Sequence, residues 1–399
     1  MVTEFLNRYV SIEKEATYGQ EPSSTQTFGE VDDESLSMNL DLLGRNDISR
    51  QISSKMVTGT EYSEGGLNMA IQVDDFLGML LHGILPDDTV SGSAATSAHF
   101  LNAASYGANK RSSNTALSAA VFSTGTIYAT GDYVYYLGDL WRFTAAHTAG
   151  AWDATHAYQI VYPSFTVRVG RETKEHTYTG MMLNSMTLTA NVGEYVMLSA
   201  DFVGKSESAT SALGVPLFDG VALDALHFAN GTVKFDTGDG TLGGASAKVK
   251  QVSISISMNR DTDNSYGLGS PTYRTAPATQ QMEITGSIDF NEVVYTATAE
   301  EPTYDLLIAE DGLSYEEAAY DGASVMELNF TDDESTPSVL TINLYHLRFE
   351  APTANVSGRS TNTMSVNFTA LMNPLLGKAI DVTIKGTGLD DGSGAPAAY

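Results

Sequence analysis

Cysteine is absent from the 399 residues. That excludes disulfides, thiolate catalysis and every cysteine-ligated zinc or iron–sulfur site. Basic residues are scarce: 21 Lys and Arg stand against 49 Asp and Glu, a net charge of −28. Gripping nucleic acid takes clustered Lys and Arg on the phosphates, so that class is excluded. The charge suits solubility, or a surface that nucleic acid must pass without sticking. Long apolar runs are also missing; the longest, Phe76 to Leu85, is about half of the ~20 residues that span a bilayer. Met1 to Val10 carries no basic segment followed by an apolar one, so no signal peptide is expected and the chain reads as soluble or as part of a soluble assembly. Proline is sparse, with 11 residues against 36 Gly, which suits many short strands joined by turns. What is present is core material: 42% apolar residues, with Tyr 20, Phe 15 and Met 14, too much for a disordered chain. The length suits two or three domains.

Catalytic and metal motifs are missing too. The letters Gly238, Gly240 and Gly243 fit G-x-G-x-x-G, but that fingerprint needs a following helix to face a pyrophosphate. Here Val249 to Met258 reads as the strongest strand of the chain. Asp236 and Asp239 lack the spacing and terminal Glu of a calcium loop. The seven histidines show no i, i+4 pair and no H-E-x-x-H, the spacing zinc needs on a helix. There is no nucleophile elbow and no P-loop. Carboxylates are abundant, but no pair is singled out as in a glycosidase. No enzyme, cofactor or metal is expected.

The strongest positive signal is alternation, repeated in order. Leu36, Met38, Leu40 and Leu42 alternate with polar residues, a polar stretch from Gly44 to Gly66 follows, and alternation resumes at Leu67, Met69, Ile71 and Val73. Period-two patterning predicts strands with one buried and one wet face. Asp74 is then placed as N-cap of a short helix closed by Pro86. The second half repeats the plan. Val252, Ile254, Ile256 and Met258 are followed by a polar stretch to Thr279, by Met282, Ile284, Ile288 and Phe290, and by a helix candidate over 300–310. First strand to second is 31 residues in one copy (36 to 67) and 30 in the other (252 to 282). Three more strands close each copy, at Phe165–Val169, Met182–Leu188 and Val196–Phe202, and at Met326–Phe330, Leu340–Leu344 and Met364–Phe368. The chain reads as an internal duplication.

One copy carries about 75 extra residues, 86–161. Asp87 to Ser123 is Ala, Ser, Asn and Gly-rich and reads as linker or loose loop. The rest, about 122–161, predicts a tiny β module holding both tryptophans. Tyr128, Tyr133, Tyr136, Trp141 and Trp152 are either its mini-core, since so small a module needs large apolar residues to fold, or a face on which sugars stack. The loops 44–66 and 259–280 and the first thirty residues are longer than a monomer needs, and loops of such length are usually functional.

The stretch Arg8, Tyr9, Val10, Ile12, Glu15, Tyr18 and Gly19, the doubled hairpin–helix–strand unit, and Gly180 to Thr189 together resemble the tail tube protein of long-tailed, siphovirus-like phages. The likeness covers the chain apart from the insertion and is one of pattern, since its motifs are diffuse. It implies a mainly β fold: two tandem β-sandwich or barrel units, each with one flanking short helix, plus the small inserted all-β module. The expected divisions are an N-terminal arm 1–30; a first unit in two pieces, 31–85 and 162–205; the insertion 86–161; a linker 206–222; a second unit 223–373; and a C-terminal strand and tail 374–399. The family implies rings whose hairpins align edge to edge into an inner barrel, stacked into a tube through which DNA passes. The apolar residues named above mark the hairpins expected at that lumen. Arg45, Asp47, Arg50, Lys55, Glu61, Arg260, Asp261, Asp263 and Arg274 are the loop residues expected between rings. The implied partners are further copies of the chain, three rather than six per ring, a tape measure protein, and terminator and distal tail proteins. DNA passes transiently, unbound. The protein would be made in the host cytoplasm and end in the virion. The other reading is a carbohydrate-binding or cell-surface structural protein, with the aromatic module as its function.

Overall fold

A computed structural model describes residues 8–23, 26–44, 55–91, 98–102, 120–210, 213–216, 218, 223–236, 242–244, 246–273, 275–293, 325–353, 363–373, 378–386 and 389. The first half has strands β1 (Tyr9–Lys14), β2 (Thr27–Gly29), β3 (Asp33–Glu34), β4 (Ser37–Gly44) and β5 (Met56–Ala70), then helix α1 (Asp75–Ile84). The insertion holds β6 (Asp87–Ser91), β7 (Ala98–Asn102), β8 (Ala120–Val121), β9 (Tyr133–Tyr136), β10 (Asp139–Phe143) and β11 (Ala157–Gln159). Next come β12 (Phe165–Arg171), β13 (Lys174–Asn191), β14 (Met197–Gly204) and β15 (Ser206–Thr210). The second half has β16 (Gly231–Phe235), β17 (Val249–Ser257), β18 (Arg260–Asp261), β19 (Ala278–Thr279), β20 (Glu283–Phe290), β21 (Met326–Thr331), β22 (Val339–Leu344), β23 (Leu347–Phe349), β24 (Met364–Ala370) and β25 (Ile380–Lys385).

Two layers enclose one apolar core. The first layer is an antiparallel run ordered β4-β5-β14-β13-β17-β20-β24-β23. The second layer is in two parts, β2-β1-β12-β13-β15 and β16-β21-β22-β25-β7-β6. The 18-residue β13 serves both layers, its first half pairing β12 and β15, its second half β14 and β17.

The pairing of the first half recurs in the second. Gly65 faces Phe202 across β5 and β14, and Gly286 faces Phe368 across β20 and β24. In the other layer Val10 faces Val169, and Tyr178 faces Glu207; correspondingly Val233 faces Leu328, and Leu344 faces Ile380. The glycine is dictated by its partner. A Cβ on Gly286 would lie 2.3 Å from the Phe368 ring and 2.4 Å from the Ser253 carbonyl oxygen, and that backbone cannot move without breaking the ladder. Gly286→Val is therefore expected to cost about 3 kcal/mol or more, read as a lowered urea midpoint.

Helix α1 is where the patterning places it. The Asp74 side chain accepts from Leu77 N at 2.8 Å, the N-cap bond that satisfies an orphan donor. Phe76, Leu77, Leu80, Leu81 and Ile84 are buried. The helix 300–310 falls outside the described residues.

Several expectations are corrected. In the N-terminal arm, β1 is buried from Tyr9 to Glu13 and pairs β12 along its whole length, so this part of the arm lies on its own domain. The linker 206–222 begins with a strand, β15, on β13. The polar loop 44–66 ends early, because β5 starts at Met56 and pairs Gly44 through Ser37. Thr58, Thr60 and Tyr62 favour a strand, and the Glu61 amide bonds Pro271 O at 2.8 Å. Residues 87–91 and 98–102 are not linker. They are β6 and β7, which pair each other, with β7 added to β25; Leu101, His99, Asp87 and Asp88 are buried there.

Candidate functional site: an open-edged sheet with a polar face

The apolar hairpin residues turn inward. Leu36, Leu67, Met69, Ile71, Val73, Val252, Ile254, Ile256, Met258, Ile284, Ile288 and Phe290 are buried between the layers, and Met282 packs at their margin. They mark one face of each hairpin, since successive side chains of a strand point to opposite faces. The opposite face carries their alternates: Ser253, Ser255 and Ser257 on β17, Thr187 and Thr189 on β13, Ser199 and Asp201 on β14, and Thr285, Ser287 and Asp289 on β20. Thr187 Oγ1 donates to Ser255 Oγ at 3.0 Å, tying the hydroxyl rows across the two halves. Within residues 64–70, 185–191, 197–203, 251–257, 283–289 and 365–369 of this layer there is no Lys or Arg, but there are Glu64, Asp201, Glu283 and Asp289.

The ends of the same layer are open. Among the described residues β4 pairs only β5, and β23 pairs only β24. The seam inside the chain has no such opening, because β13 meets β17 residue for residue, Ser185 to Asn191 against Ser257 to Gln251. Relative to the paired Gly–Phe landmarks, Met38 and Leu40 on β4 hold the places of Ile256 on β17 and of Met258 just after it. Ile256 and Met258 are 5% and 0% exposed, whereas Met38 and Leu40 are 37% and 46% exposed. Leu42 and Leu43 are open as well. A stripe that is covered at the internal seam is thus bare at the outer edge, a combination that marks an interface.

A family model described as phage tail tube protein matches residues 6–370. The chain belongs to the phage tail tube family. It is a virion structural protein of the tail, and subunits of this family assemble with one another into a tube. Curated proteins give no match to the chain. No helix among the described residues of this tail tube protein is long and apolar enough to cross a membrane.

The loop residues expected between rings are scattered. Arg45, Asp47, Arg50 and Arg274 fall outside the described residues. Lys55 precedes β5 and Glu61 lies on it, not in a loop. Arg260 is a buried anchor: its Nε donates to Leu183 O at 2.6 Å and its Nη1 to Pro277 O at 3.2 Å. Burial pushes its guanidinium down to about 10. Asp261 accepts from Asn264, and Asp263 opens a short turn. Tyr273 stacks on Tyr62 of β5 with centroids 6.4 Å apart, so the second loop folds back onto the first hairpin.

The aromatic module is closed on itself in part. Tyr128 is buried and stacked on Phe143 at 4.8 Å. Trp152 stacks on Tyr136 at 4.1 Å and meets Trp141 edge-on at 5.1 Å. Tyr133 points back to the body, donating to Asp87 Oδ2, whose other oxygen accepts from Arg142 Nε at 2.8 Å. Arg142 also donates to Asp88 O, and Asp88 pairs His99 at 2.9 Å. This buried polar clamp ties the module to the β6–β7 hairpin. Sequence reasoning missed it; the adjacent Asp87 and Asp88 after Pro86 were its one signal.

His82 sits beside the clamp, 3.3 Å from Lys14 Nζ. Burial, with Lys14 and His99 adding, pushes it down to about 3 from its ordinary 6.5. The unfolded chain then takes up the proton more readily than the folded one. Its contribution to stability is full above about pH 6.5 and is lost as pH falls towards 3. His82→Gln is expected to flatten that part of the pH–stability curve, measured by thermal melts between pH 7 and 4.

Proposed function

We propose that this protein is a duplicated tail tube subunit of the siphovirus-like type, three copies of which close one ring. Rings stack into the tube that conducts DNA during ejection. The observation that carries the reading is the internal β13–β17 seam together with the two open edges that repeat it. Thr353 faces Ser365 on β24 as Thr187 faces Ser199 on β14, and Ser37 faces Glu64 as Ser255 faces Thr285. Since Thr187 lies opposite Ser255, Thr353 of one subunit lies opposite Ser37 of the next. Closing the layer in this way leaves no sheet edge bare and turns the hydroxyl and carboxylate face inward. Such a lumen repels phosphate and lets DNA slide. The duplicated reading divides the chain near residues 211–222, with the insertion on the outside of the tube. Tape measure, terminator and distal tail proteins are its partners at the tube interior and ends, and synthesis is in the host cytoplasm.

The cysteine-free chain makes the test clean. Ser37→Cys with Thr353→Cys is expected to give interchain disulfides in assembled protein, capped at a covalent trimer, with Thr187→Cys and Ser255→Cys as the intrachain control. End-on electron micrographs are expected to show three large subunits per ring. A covalent hexamer, or no link when the control links, overturns the trimeric ring.

A further inference from the structure

The outer edge of β4 is longer than the strand edge used at the internal seam. At the seam β17 stops at Ser257, and the Met258 amide donates to Asn184 O at 2.8 Å. Asn259 then turns the chain out of the layer with φ 46°. Arg260 caps the facing strand instead, its Nε donating to Leu183 O at 2.6 Å. In the first half Asp41 holds the place of Asn259 and Leu42 that of Arg260. There the strand does not turn away. β4 runs on to Gly44 and stays paired with β5 as far as Met56.

The matching edge at the other end of the layer is β23. Phe349 faces Phe368 as Leu183 faces Phe202. Leu347 and Phe349 are buried, while Arg348 between them is exposed beside Thr369. On β4, Leu42 shares a face with Met38 and Leu40, and Asp41 shares the other face with Asn39. Residues opposite one another on paired strands lie on the same face. That sets Arg348 opposite Asp41 and Leu347 opposite Leu42. The register differs by one residue from Thr353 opposite Ser37. A bulge of that size is already present: the pairing with β24 shifts by one between Phe349–Phe368 and Thr353–Ser365, as the pairing of β13 with β14 does between Leu183 and Ser185.

We infer that Arg348 of each subunit pairs with Asp41 of the neighbouring copy, so that the ring junction runs on past the point where the internal seam ends. The inference rests on the ring reading above. Charge agrees. Asp41 is the one charged residue of β4, and Arg348 is the one Lys or Arg in residues 325–353. Space agrees as well, because Asp41 is exposed and lines an open groove of about 810 Å³ with Leu43, Tyr266 and Leu268. One Asp41 oxygen accepts from Thr60 Oγ1 at 2.5 Å, which holds the carboxylate on the face that Arg348 shares. Complementary charge of this kind sets register and suppresses wrong partners.

The experiment uses full-length protein. Asp41→Arg and Arg348→Asp are each expected to raise the concentration needed for assembly about tenfold, and the two reversals together to bring it back close to the parent's. Unchanged thresholds in the single variants, or a double variant no better than either, overturn the charge pairing. Asp41→Cys with Arg348→Cys is expected to form interchain disulfides as readily as Ser37→Cys with Thr353→Cys. If the second pair links and the first does not, or links only within a chain, the extended junction falls and the ring stands. If neither links, the ring reading itself falls.

Discussion

A Met38→Asp, Leu40→Asp double variant is expected to remain a folded monomer and to form no tubes. In the free chain both side chains are substantially exposed on the outer edge of β4, so charge there costs little folding stability. At the internal seam the residues in the same places, Ile256 and Met258, are buried against Met186 and its neighbours. Burying such a side chain contributes about 1.5–3 kcal/mol. Reversing it twice at every subunit junction, and adding like charge to an acidic protein, removes most of what a strand-edge contact can supply. Circular dichroism and a urea melt should match the parent, while sedimentation at high concentration should show monomer alone. Assembly at the parent's concentration would sink the edge-pairing reading.

The second large effect is on folding. Glu15 lies just after β1 with its carboxylate nearly buried. Its Oε1 accepts from Thr166 Oγ1 at 2.9 Å and the Gly180 amide at 2.8 Å; its Oε2 accepts from Ser164 Oγ and the Gly19 amide, both at 2.7 Å. One side chain thus satisfies four donors from three chain segments. Glu15→Ala leaves these donors unpaired in a site too tight for bulk water. The expected loss is about 3–5 kcal/mol, read as a lowered urea midpoint. Glu15→Gln, which keeps the acceptor oxygen but adds two donors, should fall between. A midpoint unchanged in Glu15→Ala would mean that the first strand docks without this bond network.

The sequence made the strands legible where one face is apolar and the other polar, as at Val252 to Met258 or Met364 to Phe368. It showed the order of the described strands twice, and it placed α1 and its cap. It did not show direction. Alternation distinguishes two faces without saying which meets the second layer, so the side on which the leucines and isoleucines pack is legible only in the folded chain. Strands without apolar alternation escaped as well. Residues 56–62 are Met, Val, Thr, Gly, Thr, Glu and Tyr, held as a strand by β4 and by the Pro271 carbonyl. The β6–β7 hairpin hides Leu101 among Asp, Ser and Thr, because its buried polar groups are satisfied by Arg142 and His99. Long-range partners of this kind leave no local pattern.

The β13–β17 seam also bears on timing. It forms when the chain folds, within one molecule, where tethering gives an effective concentration on the order of millimolar. In the proposed three-chain ring, half the junctions would therefore be complete before any two subunits meet, and only the β4–β23 junctions would wait for collision. The encounter order for closing that ring would fall from six bodies to three. Initiation then depends far less steeply on how much subunit has accumulated. A fused subunit of this kind would begin ring nucleation at a lower concentration than separate single units.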